Sequence, residues 1–387
     1  MASTAQNAKP SLSPLILIST AHAVNHIFQL APTIMAVGIK PDYALSDFEV
    51  GLVFLAFNLP YALLQIFSGE MNRKLGRKHL IIAGFLVSGV SFAVAALSQG
   101  VTSLAIALFA AGIGSSTYHA QGIPLISELF PTRRGEALGY HQTGGSIGSF
   151  IAPITIGAVV EAVGWRSASI AVSLMGIIVA LVLWYHLNDP QTRTYEAKGS
   201  RPTLQELRGP LVFVLAAAIY VVAFRGLTLF GIFYFNAKNM GSEAFLLLAT
   251  SQVAGIFSGP ICGRFSDKLG RKKVILYLVL VEGASAFGLV LLRGASLYVI
   301  LLVFGFAFYG LLATMDAFIG DIIRPEFYGT VIGINMAASF LVSTILSPTL
   351  GASIGFVGYD VSFTILAAIS LLSLPLIALT KPSREKQ

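Results

Sequence analysis

The chain has 387 residues, of which 55% are hydrophobic and only 11% are charged. A water-facing surface needs roughly twice that share of charge, so a soluble domain is excluded and a membrane-embedded chain is indicated. The net charge of +7 fits basic cytoplasmic loops better than a nucleic-acid-binding surface.

In chain order, Met1 to Lys9 is short and polar, and the apolar run behind it continues to about Gly38. That run is too long for a signal-peptide core and has no convincing cleavage site, so it reads as a first span. A spanning helix takes about 20 apolar residues. Spans are predicted near 13–38, 47–69, 79–98, 102–126, 136–160 and 166–187. A charged stretch from Leu187 to Gly209 follows, and then spans near 211–237, 244–263, 274–292, 296–322, 329–355 and 360–380. The expected organisation is a six-helix bundle over 1–187, a cytoplasmic linker over 188–210 and a second bundle over 211–387.

With the N-terminus inside, the cytoplasmic segments hold twenty basic residues and the outer loops hold four, namely Lys40, Arg166, Lys238 and Arg293. This asymmetry places both termini in the cytoplasm. The short loops suit the plasma (inner) membrane of a bacterium or archaeon. The lone cysteine, Cys262, allows no disulfide framework or thiolate metal site. No phosphate-binding glycine loop is present, so no ATP-driven cycle on this chain and no cofactor is expected.

The two halves align at a constant offset of 194 residues: Gly69 with Gly263, Gly76 with Gly270, Arg77 with Arg271, Pro131 with Pro325, Gly135 with Gly329, Gly139 with Gly333, Gly157 with Gly351 and Gly164 with Gly358. Parallel repeats of this kind place a binding site at their interface and work by rocking one half against the other.

After the eighth span the chain reads Gly263-Arg264-Phe265-Ser266-Asp267-Lys268-Leu269-Gly270-Arg271-Lys272. This resembles the loop motif of the major facilitator superfamily at every motif position. In that family the cluster is thought to latch the cytoplasmic side, which implies the role for Gly263, Asp267, Gly270, Arg271 and, in the first half, Arg77. The first-half copy departs from the pattern, because Arg73 stands where the family has aspartate. The fifth span carries Gly139, Gly148, Ala152-Pro153 and Ile156-Gly157, which resembles the family's fifth-helix antiporter motif and tilts the reading toward export. Gly112 to His119, Arg133 to Ala137, Gln142 to Gly145 and His22 to His26 look like the fosmidomycin-resistance branch of drug exporters. There the first helix usually carries an acidic residue where His26 stands. The resemblance implies an all-α membrane protein of twelve transmembrane helices in two pseudo-symmetric six-helix bundles, acting as a monomer.

Ionisable groups inside spans are costly and mark pathways. His22, Asn25, His26 and Gln29 share one face of span one by their spacing of three and four, and are expected either to line a cavity or to bond between helices. Two histidines four apart can hold a metal, but no carboxylate or cysteine joins them locally, so none is expected. Span four carries Tyr118, a candidate substrate contact, next to His119. His119 and His141 are candidates for carrying protons, since imidazole titrates near neutral pH. Span two adds Asn58 and Tyr61, span five adds Gln142 and span eleven adds Asn335, all as candidate substrate contacts. Arg225 in span seven keeps its charge and needs a carboxylate or an anionic substrate. Asp316 is its expected partner and a candidate proton carrier, because the span holding the alternative, Glu282, is peripheral in the resembled family.

The expected function is a secondary active transporter working by alternating access, with a small-molecule substrate, protons and the lipid bilayer as partners. Proton-coupled export of a small anionic or amphipathic compound leads. Uptake of an organic anion by proton symport is the alternative, and a membrane receptor or sensor is the alternative outside transport. No clustered nucleophile, base or metal set points to an enzyme.

Overall fold

The computed structural model describes residues 12–65, 71, 75–187, 204–324 and 327–380. The first-half loop motif around Arg73 and most of the expected linker, 188–203, lie outside the described residues.

The first half consists of α1 (Leu12–Asp42), α2 (Asp47–Leu64), α3 (Arg77–Ala96), α4 (Val101–Leu129), α5 (Arg134–Val163) and α6 (Trp165–His186). The second consists of α7 (Leu204–Ala237), α8 (Glu243–Val253), α9 (Ser258–Leu269), α10 (Arg271–Leu291), α11 (Ser296–Ile322), α12 (Tyr328–Leu371) and α13 (Ser373–Leu379). Helix α8 runs through a short 3-10 turn into α9 with a 46° bend, so the two make the eighth span. Helix α12 breaks at Gly358, where φ is 79°, so α12 and α13 together make the eleventh and twelfth. With α1 as the first, twelve spans result among the described residues. Helix α1 has 31 residues, with the polar stripe of His22, Asn25, His26 and Gln29 along one face.

The repeat is visible in the turns. Gly76 and Gly270 have φ of 77° and 93°, and Gly164 and Gly358 have φ of 86° and 79°. Each pair is separated by the same offset of 194 residues. Only glycine adopts this region without strain, so the same sharp turns start the third and ninth spans and the sixth and twelfth.

The halves meet along α2 against α12 and α5 against α8. A Cβ on Gly51 would stand 2.3 Å from the Ser347 carbonyl oxygen, and one on Gly351 would stand 2.2 Å from that of Asp47. A Cβ on Gly157 would stand 2.6 Å from the Phe245 ring. Backbone-to-backbone approach of this kind is how membrane helices gain packing energy, since apolar burial gives them little. These contacts gather toward the Asp47 end of the molecule. There the Tyr359 hydroxyl donates to Asp47 Oδ1 at 2.9 Å, and Lys40 pairs with the same oxygen at 2.6 Å. Phe54 meets Phe230 edge-on across the seam, with ring centroids 5.4 Å apart.

At the opposite end each half ties up its own loop. Arg77 pairs with Glu128 at 2.7 Å. Arg271 donates to both oxygens of Asp321 at 2.6 Å and to Asp267 at 3.1 Å. Among the described residues, the close contacts between the halves therefore concentrate toward the Asp47 end.

Candidate substrate and proton site

Four histidines converge in the first half. His22 and His26 come from α1, His119 from α4 and His141 from α5. The rings of His22 and His141 stack with centroids 4.0 Å apart, and those of His22 and His119 meet edge-on at 5.0 Å. The gathering follows from close helix packing: a Cβ on Gly145 would touch the His22 ring at 2.6 Å, and one on Gly148 would touch the Ala23 carbonyl oxygen at 2.2 Å. The glycines of the fifth span thus let α1 and α5 approach closely enough for their histidines to share one space.

For neutral rings the proton positions follow from the partners. His22 Nδ1 lies 2.7 Å from the His141 carbonyl oxygen, which only accepts, so Nδ1 carries the proton and Nε2 is bare. His26 Nε2, 3.1 Å away, then donates to it. His26 Nδ1 is left to accept from the Ser149 hydroxyl at 2.9 Å. The Tyr118 hydroxyl donates to the Ile18 carbonyl at 2.5 Å and accepts from His141 Nε2 at 3.0 Å. The Gln29 amide donates to the Tyr61 hydroxyl at 2.8 Å and to His119 Nε2 at 3.2 Å. A proton arriving at His26 Nδ1 can thus be relayed through its Nε2 to His22 Nε2, with every lone pair along the way already aimed.

Arg225 faces this cluster from α7. Its guanidinium lies over the Phe340 ring, 5.3 Å from the centroid. Phe340 in turn packs edge-on to Tyr61 at 4.8 Å and against His119 at 6.4 Å. Arg225 is close enough to His26, His119, Tyr61 and Tyr309 to act on them electrostatically. Among the described residues it makes no ion pair and no side-chain hydrogen bond, and its Nε is buried without a partner. Cation–π contact is worth about 0.5–2 kcal/mol. Removing a guanidinium from water costs several kcal/mol, so the ring alone does not compensate the charge.

The expected pairing of Arg225 with Asp316 is not found. Helix α7 turns the guanidinium toward Phe340 and the tyrosines instead. Glu282 does not pair with it either: it is fully buried in α10, with both carboxylate oxygens lacking hydrogen-bond partners. Asn58 belongs to the seam between the halves, its side-chain amide donating to the Ser347 hydroxyl and its backbone carbonyl accepting from Thr344. Gln142 is exposed and makes no side-chain hydrogen bond with the cluster. Asn25 is buried in it, accepting from Ser115 at 2.7 Å. The Asn25 Nδ2 and Asn335 Oδ1 atoms are buried without hydrogen-bond partners among the described residues. Arg225 Nε is likewise buried without a hydrogen-bond partner.

Phe340, Tyr309, Gln252 and Ser149 were not expected. The Tyr309 hydroxyl donates to Gln252 Oε1 at 2.6 Å. Gln252 was legible as a polar group within a span, whereas Phe340 is one of 27 phenylalanines and carried no signal. An open hollow of about 470 Å³ at the Asp47 end, lined by Glu161, Asn236 and Asn239, lies apart from this cluster.

The family model of the Major Facilitator Superfamily matches residues 18–345 and, in a second match, 241–387. The chain belongs to the Major Facilitator Superfamily. It is 26% identical to a hexuronate transporter of Bacillus subtilis over 54% of this chain and 50% of that one. It is 30% identical to a probable sulfoacetate transporter of Cupriavidus necator over 44% of this chain and 39% of that one. The matches to these two relatives span half of their length or less. The fosmidomycin resistance protein of Escherichia coli is 24% identical over 74% of this chain and 73% of its own. A bacterial homologue of the lysosomal transporter Spinster, solved in an inward-facing and occupied conformation, superposes with a TM-score of 0.82 at 17% identity over 97% of both chains. The facilitator fold and the chain's membership of this family are thereby shown.

Proposed function

We propose that this facilitator moves a small organic anion together with a proton, with Arg225 as the anion's anchor. The observation that carries the reading is the guanidinium of Arg225, without an ion pair among the described residues, facing the histidine cluster. An anion supplies the missing counter-charge. Once it is bound, a proton on His22, His26 or His119 is no longer repelled by an uncompensated arginine. Anion and proton therefore favour each other's binding, and by linkage the effect is reciprocal. Positive linkage of two ligands in one site is the thermodynamic signature of symport, so the geometry supports the uptake reading over export. Transporters of hexuronate and sulfoacetate, both organic anions, are among the relatives.

The other titratable groups around the cluster are Tyr118 on α4, His141 on α5, Tyr61 on α2 and Tyr309 on α11. The twenty-to-four distribution of basic residues supports cytoplasmic termini. In that orientation the Asp47 end, where α2 meets α12, faces outward.

The reading is tested in proteoliposomes carrying a pH gradient, with a panel of uronates, sulfonates and other small carboxylates and an internal pH dye. Solute entry that acidifies the lumen supports symport. Alkalinisation on entry of the transported solute would indicate exchange with protons and restore the export reading.

A further inference from the structure

Three of the imidazoles form a corner. His22, His26 and His119 each place one ring nitrogen within 4.8 Å of those of the other two. Their rings meet at 66°, 86° and 90°, with centroids 4.7, 5.0 and 5.4 Å apart. In the tautomer that carries the His26 proton on Nδ1, beside the Ser149 hydroxyl, the Nε2 lone pairs of His22 and His26 are both available to a cation. Around a zinc-class ion with bonds of about 2.0–2.1 Å, neighbouring tetrahedral ligand atoms stand about 3.3 Å apart. His22 Nε2 and His26 Nε2 are already 3.1 Å apart. A shift of the His119 ring by about 1.5 Å would close the triangle.

The surroundings fit a metal as well. Histidine ligands are held by hydrogen bonds from their other ring nitrogen to a carbonyl or similar acceptor. His22 Nδ1 bonds to the His141 carbonyl, and His26 Nδ1 lies beside the Ser149 hydroxyl. Three neutral nitrogen donors select a transition metal over magnesium or calcium. They leave a fourth coordination position open. Because Arg225 is near, that position is suited to an anionic oxygen, either hydroxide or a carboxylate.

We infer that His22, His26 and His119 bind one divalent transition-metal cation of the zinc class. The site uses the histidines of the proposed proton relay but does not depend on which anion is carried, or on whether any is. The i, i+4 pair was visible in the sequence; the third ligand comes from α4, 93 positions beyond His26.

The test is a cobalt(II) titration of the purified full-length protein in detergent, made without a polyhistidine tag and followed by visible d–d absorption. One cobalt per chain, displaced by zinc, is expected. His26→Gln and His119→Gln should each weaken binding by about 100-fold or more. His79→Gln and His186→Gln, which remove histidines outside the cluster, should leave it unchanged. Absence of cobalt binding to the wild type, a measurement that needs no variant to fold, would overturn the site, as would equal binding by the His26 and His119 variants. A transport assay that finds no organic anion would leave the cobalt result readable on its own.

Discussion

Substituting Gly51 by alanine tests how the two halves close against each other. The new methyl carbon would sit 2.3 Å from the Ser347 carbonyl oxygen and 2.8 Å from Pro348 Cα, against an ordinary contact from 3.4 Å. Both obstacles are backbone, so no side-chain rotation relieves them and the seam must open by about 1 Å. Overpacking of this kind costs about 1–3 kcal/mol, and about 2 kcal/mol is a factor of roughly 30 in a population. The cost falls only on conformations in which α2 and α12 touch, so the variant should shift toward states open at the Asp47 end. A single cysteine at Phe54, which is 1% exposed in the seam, reports this in a Cys262→Ser background. Labelling by a membrane-impermeant maleimide should rise by about an order of magnitude or more in Gly51→Ala. Gly259→Ala, whose Cβ would meet Ala313 at an ordinary 3.6 Å, serves as control and should label like the parent. Equal labelling of the Gly51→Ala and control proteins would refute the claim that this seam is a gate.

Other consequences follow from the same geometry. Phe340→Ala removes the platform under Arg225 and should raise KM for the transported anion about fivefold, from a contact worth about 1 kcal/mol, with a smaller change in the maximal rate. Arg271→Ala breaks bonds to Asp321 and Asp267 at the loop end, far from the anion site, so it should lower the maximal rate while leaving KM within about twofold. Asp42 accepts from the Trp165 indole and from Arg166, joining α1 to α6, and those bonds hold its carboxyl below the usual range. Its folded pKa is depressed, so its contribution to stability is complete above the ordinary carboxylate pKa and is lost as pH falls through the folded value. Thermal unfolding of the wild type should therefore lose more on acidification below about pH 4 than that of Asp42→Asn, and parallel pH profiles would contradict the assignment.

The sequence carried the architecture because repetition and hydropathy are both written along one dimension. The offset of 194 already paired Gly76 with Gly270 and Gly164 with Gly358, and all four adopt positive φ. Span boundaries were less legible where helices break without losing hydropathy, as at Gly358 within α12. The polar stripe of α1 was legible by its spacing, but the position of His119 against it depends on how α4 is rotated. Rotation also explains the Arg225 expectation. Depth placed Arg225 and Asp316 together, yet the guanidinium points to Phe340, and nothing in either helix's periodicity separates those two outcomes. Asn58 read as a cavity residue by type, whereas proximity of α2 to α12 turned it into a seam contact.

The central claim is that anion and proton bind together at Arg225 and the histidine cluster. Proton uptake on anion binding measures this directly, with purified protein in weakly buffered detergent and a pH dye, using an anion established by the transport panel. The account predicts close to one proton taken up per anion bound near neutral pH. It also predicts anion affinity lowered by roughly 150-fold in Arg225→Ala, from a charge-assisted contact of about 3 kcal/mol. Anion binding with no proton uptake, or at undiminished affinity in Arg225→Ala, would contradict it.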